Sequence, residues 1–289
     1  MGALLDKPIT EKHSDTAEGN GLRFGCSEMQ GWRREMEDAH TVIATLPELP
    51  DHSYIAVYDG HGGSVAAELA GGLGSDEGQL IGYLRATAQY QQYIATAPEE
   101  RAAAVQLIGE ALSKAFLAFD AELPPKLAAR DCTSGCTAIA CLITPTHIVC
   151  ANSGDSRGCY CSDAAQAANQ NDPLQAIALS YDHKPTNPGE NQRIRAAGGS
   201  VSSGRVDGSL AVSRALGDFS YKDRPDLPQE QQKVSAQPDI EIYARDPADQ
   251  LLCLACDGIW DVKTNEACCE FMREVRIAIE MPFCFGISH

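Results

Sequence analysis

Twice in this chain an apolar run that reads as a buried strand stops at Asp-Gly. Tyr54-Ile55-Ala56-Val57-Tyr58 precedes Asp59-Gly60-His61-Gly62-Gly63, and Leu251-Leu252-Cys253-Leu254-Ala255-Cys256 precedes Asp257-Gly258. A hairpin turn is the ordinary reading of Asp-Gly after a strand. Here the residues after Asp59 run through Ser64-Val65-Ala66-Ala67-Glu68-Leu69, which reads as a loop entering a helix rather than a returning strand. Two such strand ends can deliver carboxylates to one place. Glycine beside Asp59 lets a backbone carbonyl approach a cation closely, and hard divalent ions such as Mg²⁺ or Mn²⁺ prefer carboxylate, carbonyl and water oxygens. Glu37, Asp38, Asp155 and Asp261 would add oxygens if the fold gathered them. Carboxylates brought so close repel one another unless a cation intervenes. His61, beside Asp59, is a candidate for proton transfer because imidazole titrates near neutral pH. A nucleotide-phosphate reading of His61-Gly62-Gly63 is weak, since no Gly-Lys-Ser/Thr follows.

The remaining pattern is mixed. Residues 22–27 and 53–58 read as strands, and Val105, Ile108, Leu112, Phe116 and Phe119 form a helical stripe on a helix that can begin after Pro98. Short apolar runs at 136–143, 147–151, 157–161 and 176–181 are separated by turn formers. A helix is expected over 188–197, with Asn187 placed to cap it and Gly198-Gly199 to end it. Strands follow near 200–206, 239–244 and 250–256, and a last helix near 265–279. Strands in runs with helices at the flanks predict an α+β fold, a sandwich of two antiparallel β-sheets covered outside by α-helices.

Composition narrows the function classes. The 289 residues suffice for one large domain, and a net charge of -17 argues against a nucleic-acid partner, which needs clustered Lys and Arg. The first 20 residues lack the apolar core of a secretory leader, and no apolar stretch is long enough to span a bilayer. The expected setting is therefore cytoplasmic, or also nuclear, and reducing. Gly2 invites a myristoylation reading, but Asp6 stands where Ser or Thr is usual, so membrane attachment through Gly2 is not expected. Of the 12 cysteines, several are spaced like zinc ligands, yet most lie inside apolar runs and read as buried free thiols.

Six segments, in order, carry a resemblance: Gly31-Trp32-Arg33-Arg34-Glu35-Met36-Glu37-Asp38-Ala39-His40, Val57 to Gly63, Gly154-Asp155-Ser156-Arg157-Gly158, Asp182-His183-Lys184-Pro185, Leu210 to Asp218, and Asp257-Gly258-Ile259-Trp260-Asp261-Val262. Together they closely resemble the metal-dependent protein serine/threonine phosphatases of the PPM family, protein phosphatase 2C. The resemblance runs from about residue 21 to about 275, leaving a flexible tail at 1–20 and a tail outside the family pattern at 276–289. It implies hydrolysis of phosphoserine and phosphothreonine in phosphorylated protein substrates, by a monomer holding two Mg²⁺ or Mn²⁺ ions and a weaker third. By motif, Asp59 would bridge both ions, Gly60 with Glu37 and Asp38 would hold the second, and Asp257 the first. Asp155 and Asp261 would serve the third. A water activated between the two main ions would attack phosphorus in line, Arg33 would grip the phosphate, and His61 would protonate the departing oxygen. The flap beside the cleft is matched by residues from about 182 to 222, where Arg205 would meet the phosphoprotein.

One part of the family pattern has no counterpart. Members close with a strand carrying Asp-Asn, whose aspartate completes the first metal site, whereas no Asp occurs after Asp261 in this sequence. The chain therefore reads as truncated at its C-terminus, with the closing strand missing and a sheet edge left open. Weakened metal binding follows as an expectation, and with it an alternative function: a catalytically impaired homologue that binds phosphoproteins or metal.

Overall fold

The computed structural model describes residues 4–72, 77–162, 175–279 and 284–287, with side chains described as far as residue 275. Two sheets lie at its centre. The first runs β14 (Asp239–Ala244), β8 (His147–Ser153), β7 (Ala138–Ile143), β4 (Ser53–Tyr58), β3 (Ala39–Ile43), all antiparallel. The second runs β1 (His13–Gly19), β2 (Leu22–Glu28), β16 (Cys284–Ile287), β15 (Asp249–Ala255), β9 (Arg157–Ser162), β10 (Gln175–Ala178).

Side-chain alternation along β4 shows why its sequence is apolar throughout. Ile55 and Val57 face the second sheet, packing with Ile139, Ile143, Leu252 and Leu254, while Tyr54, Ala56 and Tyr58 face helices on the outside. A strand buried on both faces reads as a continuous run rather than as an alternation. The helical layer over the first sheet comprises α1 (Val65–Gly71), α2 (Leu80–Ala86), α3 (Ala88–Ala95) and α4 (Gln106–Ala128). The α4 stripe at Ile108, Leu112, Phe116 and Phe119 is fully buried. Over the second sheet lies α7 (Asn265–Ile279), whose Cys268, Cys269 and Met272 pack on Cys159, Leu251 and Cys253. The segment 182–222 contains α5 (Pro188–Ala196) and the hairpin of β11 (Val201–Ser202) with β12 (Arg205–Val206), packed around Ile194, Val206, Val212, Ala215 and Val234. Among the described residues no helix is long and apolar enough to cross a membrane.

Four expectations need correction. Residues 13–19 are not tail: they form β1 and pair along their whole length with β2, from His13 with Glu28 to Gly19 with Leu22. Their polar sequence, His-Ser-Asp-Thr-Ala-Glu-Gly, hides a strand because an edge strand exposed on one side needs few apolar residues. The expected open sheet edge is filled, since β16 lies between β2 and β15, parallel to both, with Cys284 opposite Phe24 and Phe285 opposite Cys253, although its Cys-Phe-Gly-Ile carries no Asp-Asn. Cys161 and Cys269 are joined in a disulfide that ties α7 to β9, so not every cysteine is a free thiol. Finally, Asn187 stands at the N-cap of α5, but its side chain donates to the carbonyl of Asp182 at 2.8 Å instead of accepting from the helix.

Candidate active site

The ends of β4 and β15 bring Asp59 and Asp257 to the surroundings of Cys256. β4 ends at Tyr58, and the chain continues through Asp59 into the two-residue strand β5 (Gly60–His61). β5 pairs with β6 (Gly135–Cys136), which pairs in turn with β13 (Leu216–Gly217). The Asp59 carbonyl accepts from Thr137 N–H at 2.9 Å, fixing the turn. Gly60 has no room for a side chain: a Cβ there would lie 2.2 Å from the carbonyl oxygen of Glu37. That contact presses the Glu37 loop against the end of β4, and Glu37 Oε1 accepts from Gly63 N–H at 2.7 Å.

From the second sheet, β15 leads through Cys256 into the single turn α6 (Asp257–Trp260), with Asp257 at its first position. The turn is held by Trp260 Nε1 donating to the Ala255 carbonyl at 2.7 Å and by Asp261 N–H donating to the Asp257 carbonyl at 2.7 Å. Asp261 itself is exposed. Asp155 sits in the bend between β8 and β9, where Gly154 adopts φ 123°, a conformation open to glycine alone, and would have to displace Thr137 to carry a Cβ.

Electrostatics shows how close these acids are. The Cys256 thiol is pushed well above its usual range by burial first and then by the negative charges of Asp38, Asp59 and Asp257. Asp155, 4% exposed, has its pKa raised by burial, and Asp257 and Asp182 add to the rise against the pull of the Lys184 ammonium bonded to it. His61 would be lowered by burial, but its hydrogen bond to Asp218 and the charges of Asp218, Asp59 and Asp155 hold its pKa above the ordinary imidazole value.

The donor set is the one a hard divalent cation takes: carboxylates and the Gly60 carbonyl, mutually repelling, with backbone pressed close at a glycine. In chemistry the residues fit Mg²⁺ or Mn²⁺. In geometry they are not a ready-made cage, because among the described residues no group of three or more His, Cys, Asp or Glu is arranged to hold a metal ion.

Two other expected participants, Arg33 and Arg205, are exposed. Arg33 is exposed in the loop between β2 and β3 that also carries Glu37 and Asp38, with its carbonyl accepting from Gln30 Nε2 at 3.0 Å. Arg205, on β12, is exposed and donates from Nη1 to the Ser209 carbonyl at 2.7 Å. Other residues went unassigned in the sequence reading. Asp218 lies 2.6 Å from His61 Nε2, and Asp120 on α4 holds Lys222 at 2.7 and 2.8 Å while accepting from Gly217 N–H at 2.7 Å. Lys184 neutralises Asp155. Asp218 and Lys184 lay inside recognised motifs but showed no pairing partner within hydrogen-bonding range along the sequence.

Residues 22–282 match the family described as Protein phosphatase 2C. Protein phosphatase ppm-1.A of Caenorhabditis elegans is 42% identical over 282 residues, 95% of this chain and 56% of that protein. Protein phosphatase 1B of Rattus norvegicus is 42% identical over 285 residues, 94% of this chain and 66% of that protein. The chain thus spans between about half and two thirds of the length of these relatives. Among solved structures, a serine-threonine phosphatase 2C from Toxoplasma gondii superposes with a TM-score of 0.72 over 95% of this chain and 88% of its own, at 22% identity, a likeness of fold. A fold shared with that structure, a family match over most of the chain and relatives sharing two residues in five together give one answer: the chain belongs to the protein phosphatase 2C family.

Proposed function

We propose that this chain hydrolyses phosphoserine and phosphothreonine in proteins, where the charges of Asp59 and Asp257 both act on Cys256. The observation that carries the proposal is the electrostatic influence that Asp38, Asp59, Asp155 and Asp257 exert together around Cys256 and His61, a concentration of negative charge at one place. Family membership supplies the reaction class.

Asp59, the Gly60 carbonyl, Glu37, Asp38 and Asp257 would hold two Mg²⁺ or Mn²⁺ ions, with Asp155 and Asp261 serving a weaker third. When bound, such ions lower the pKa of a water and neutralise phosphate charge. The chain's own residues do the rest. Arg33, on its exposed loop, would grip the phosphate oxygens through its guanidinium fork. His61 would give a proton to the departing seryl or threonyl oxygen. Arg205 on the flap hairpin would meet the phosphoprotein near the scissile group. The working form is taken to be a cytoplasmic monomer, consistent with the acidic surface implied by a net charge of -17.

Incubation of the purified chain with a phosphothreonine peptide and Mn²⁺ is expected to release inorganic phosphate, and chelator to stop it. Silence at millimolar Mn²⁺ from a chain that melts cooperatively defeats the proposal. A second reading has its own support. Because the acids form no ready-made cage among the described residues, the chain would bind phosphoproteins or metal without turnover. Turnover that vanishes in Asp59→Asn excludes it.

A further inference from the structure

Two separate parts of the chain meet at the carboxylate of Asp218, and two more hold the residues that flank it. His61 sits opposite Gly135 in the β5–β6 pair, and Gly135 sits opposite Gly217 in the β6–β13 pair, so the three-strand ribbon places His61 and Asp218 on either side of a glycine. His61 Nε2 and Asp218 Oδ2 are 2.6 Å apart, with the carboxylate side chain only 8% exposed and the ring 28% exposed. A Cβ at Gly135 would lie 2.2 Å from that same Oδ2, so the hydrogen bond exists only because position 135 is glycine. Asp218 itself adopts the left-handed conformation, φ 54° and ψ 41°, which an aspartate takes at some cost unless its surroundings impose it. The surroundings do so. On one side Gly217, at φ 81°, donates its N–H to buried Asp120 on α4, and on the other Lys222 is clamped to both oxygens of Asp120.

A surface ion pair tying the flap to β5 would need none of this. An imidazole that must deliver a proton in a fixed direction needs all of it, because the charged ring has two flip orientations and only one of them turns its second N–H toward the substrate. A buried carboxylate accepting from one ring N–H fixes that orientation and favours the charged ring, from which the other nitrogen can give its proton.

We propose that Asp218 is a positioning residue for the phosphatase reaction: by accepting from Nε2–H it orients the His61 imidazolium so that the Nδ1 proton is the one given to the leaving oxygen, the ring keeping its Nε2 proton. The inference rests on the proposed function of His61. In the step, the bond from phosphorus to the seryl or threonyl oxygen breaks as a bond from phosphorus to water oxygen forms. The departing oxygen takes the Nδ1 proton, and the proton lost by the attacking water restores the ring. Products are the free hydroxyl side chain and inorganic phosphate.

Leaving-group dependence tests this without appeal to stability. An alkyl phosphate such as a phosphothreonine peptide needs a proton at its leaving oxygen, whereas the nitrophenolate of p-nitrophenyl phosphate leaves without one. In the full-length chain with Mn²⁺, Asp218→Asn is expected to lower kcat on the peptide by about 100-fold, at the low end of what a positioned acid contributes, with KM little changed. On p-nitrophenyl phosphate the loss should stay within about threefold. Gly135→Ala, which displaces the Asp218 carboxylate without removing it, should give the same bias and carries the test if Asp218→Asn does not fold. His61→Ala should show the bias too, and adding Asp218→Asn to it should cost nothing further. Equal losses on both substrates, or no loss on either, overturn the role of Asp218. If His61→Ala itself shows no bias, the proton-donor role of His61 falls instead, and the inference with it.

Discussion

Asp155 and Glu190 are both buried carboxylates, 4% and 5% exposed, and the protein treats them oppositely. Burial raises the pKa of each. At Glu190, on α5, two arginines overturn that effect: Arg214 donates at 2.9 and 3.1 Å and Arg193 lies at 2.7 Å, and the carboxyl falls to about 2. At Asp155 a single lysine does not overturn it, and neighbouring Asp257 and Asp182 reinforce it, so the carboxyl stays above its ordinary value. One acid is fully compensated by the chain. The other keeps Asp257 and Asp182 as neighbours and is compensated only in part, and the difference separates the half of the molecule held by paired arginines from the half proposed above to take a cation.

Removing compensation should therefore damage the first half most. Glu190→Ala leaves Arg193 and Arg214 buried without their carboxylate, and is expected to cost about 3–5 kcal/mol, read from the urea midpoint. A loss under about 1 kcal/mol would mean that water replaces Glu190 and that the contrast is false. In the cation half the same kind of change should spare the fold and damage activity. Asp59→Asn is expected to lower phosphatase turnover by at least about 100-fold, or about 2.7 kcal/mol of barrier, while the metal-free urea midpoint stays level or rises. A falling midpoint would place Asp59 with Glu190 as a structural acid.

Acid titration sharpens the contrast more gently. Because the folded pKa of Glu190, about 2, lies below its ordinary 4.5, its contribution is fully present above pH 4.5 and is lost as pH falls toward 2. Unfolding free energy over that window should fall less steeply in Glu190→Gln than in the parent chain, the slopes differing by at most one proton, about 1.4 kcal/mol per pH unit. The smallest effect is expected at the flap surface, where Arg205 faces solvent. Arg205→Ala should raise KM for a phosphoprotein by about twofold to fivefold, the scale of one exposed ion pair, and an unchanged KM removes Arg205 from substrate contact.

The parts of the fold legible in sequence were those with strong periodicity. β4 and β15 are continuous apolar runs, and α7 appears over the expected residues 265–279 because its apolar positions recur at helical spacing. β1 was not legible, because a polar edge strand is defined by its partner rather than by its composition. β16 was hidden for a similar reason: four residues, Cys-Phe-Gly-Ile, become a strand only through the gap that β2 and β15 leave. Within the site, Asp59, Gly60 and Asp257 announced themselves by ending strands. Asp218 did not, since its meaning lies in His61, 157 positions away, and in the absence of a side chain at Gly135. The Asp120 to Lys222 pair was equally silent, a polar contact across 102 residues inside an otherwise apolar helix face.

The ribbon of β5, β6 and β13 joins positions 60, 135 and 216 through two residue pairs per junction. So short a structure holds together only while the sandwich, α4 and the flap are all in place, so the order in which the chain folds bears on chemistry. The carboxylates of β4 and β15 arrive with the central sheets, whereas the pairing of His61 with Asp218 waits for the most distant contacts to close. In native-state hydrogen exchange, the Gly217 amide held by Asp120 should therefore open with less free energy than the amides of β4, and each such opening would leave the acids in position while the imidazole loses its orientation.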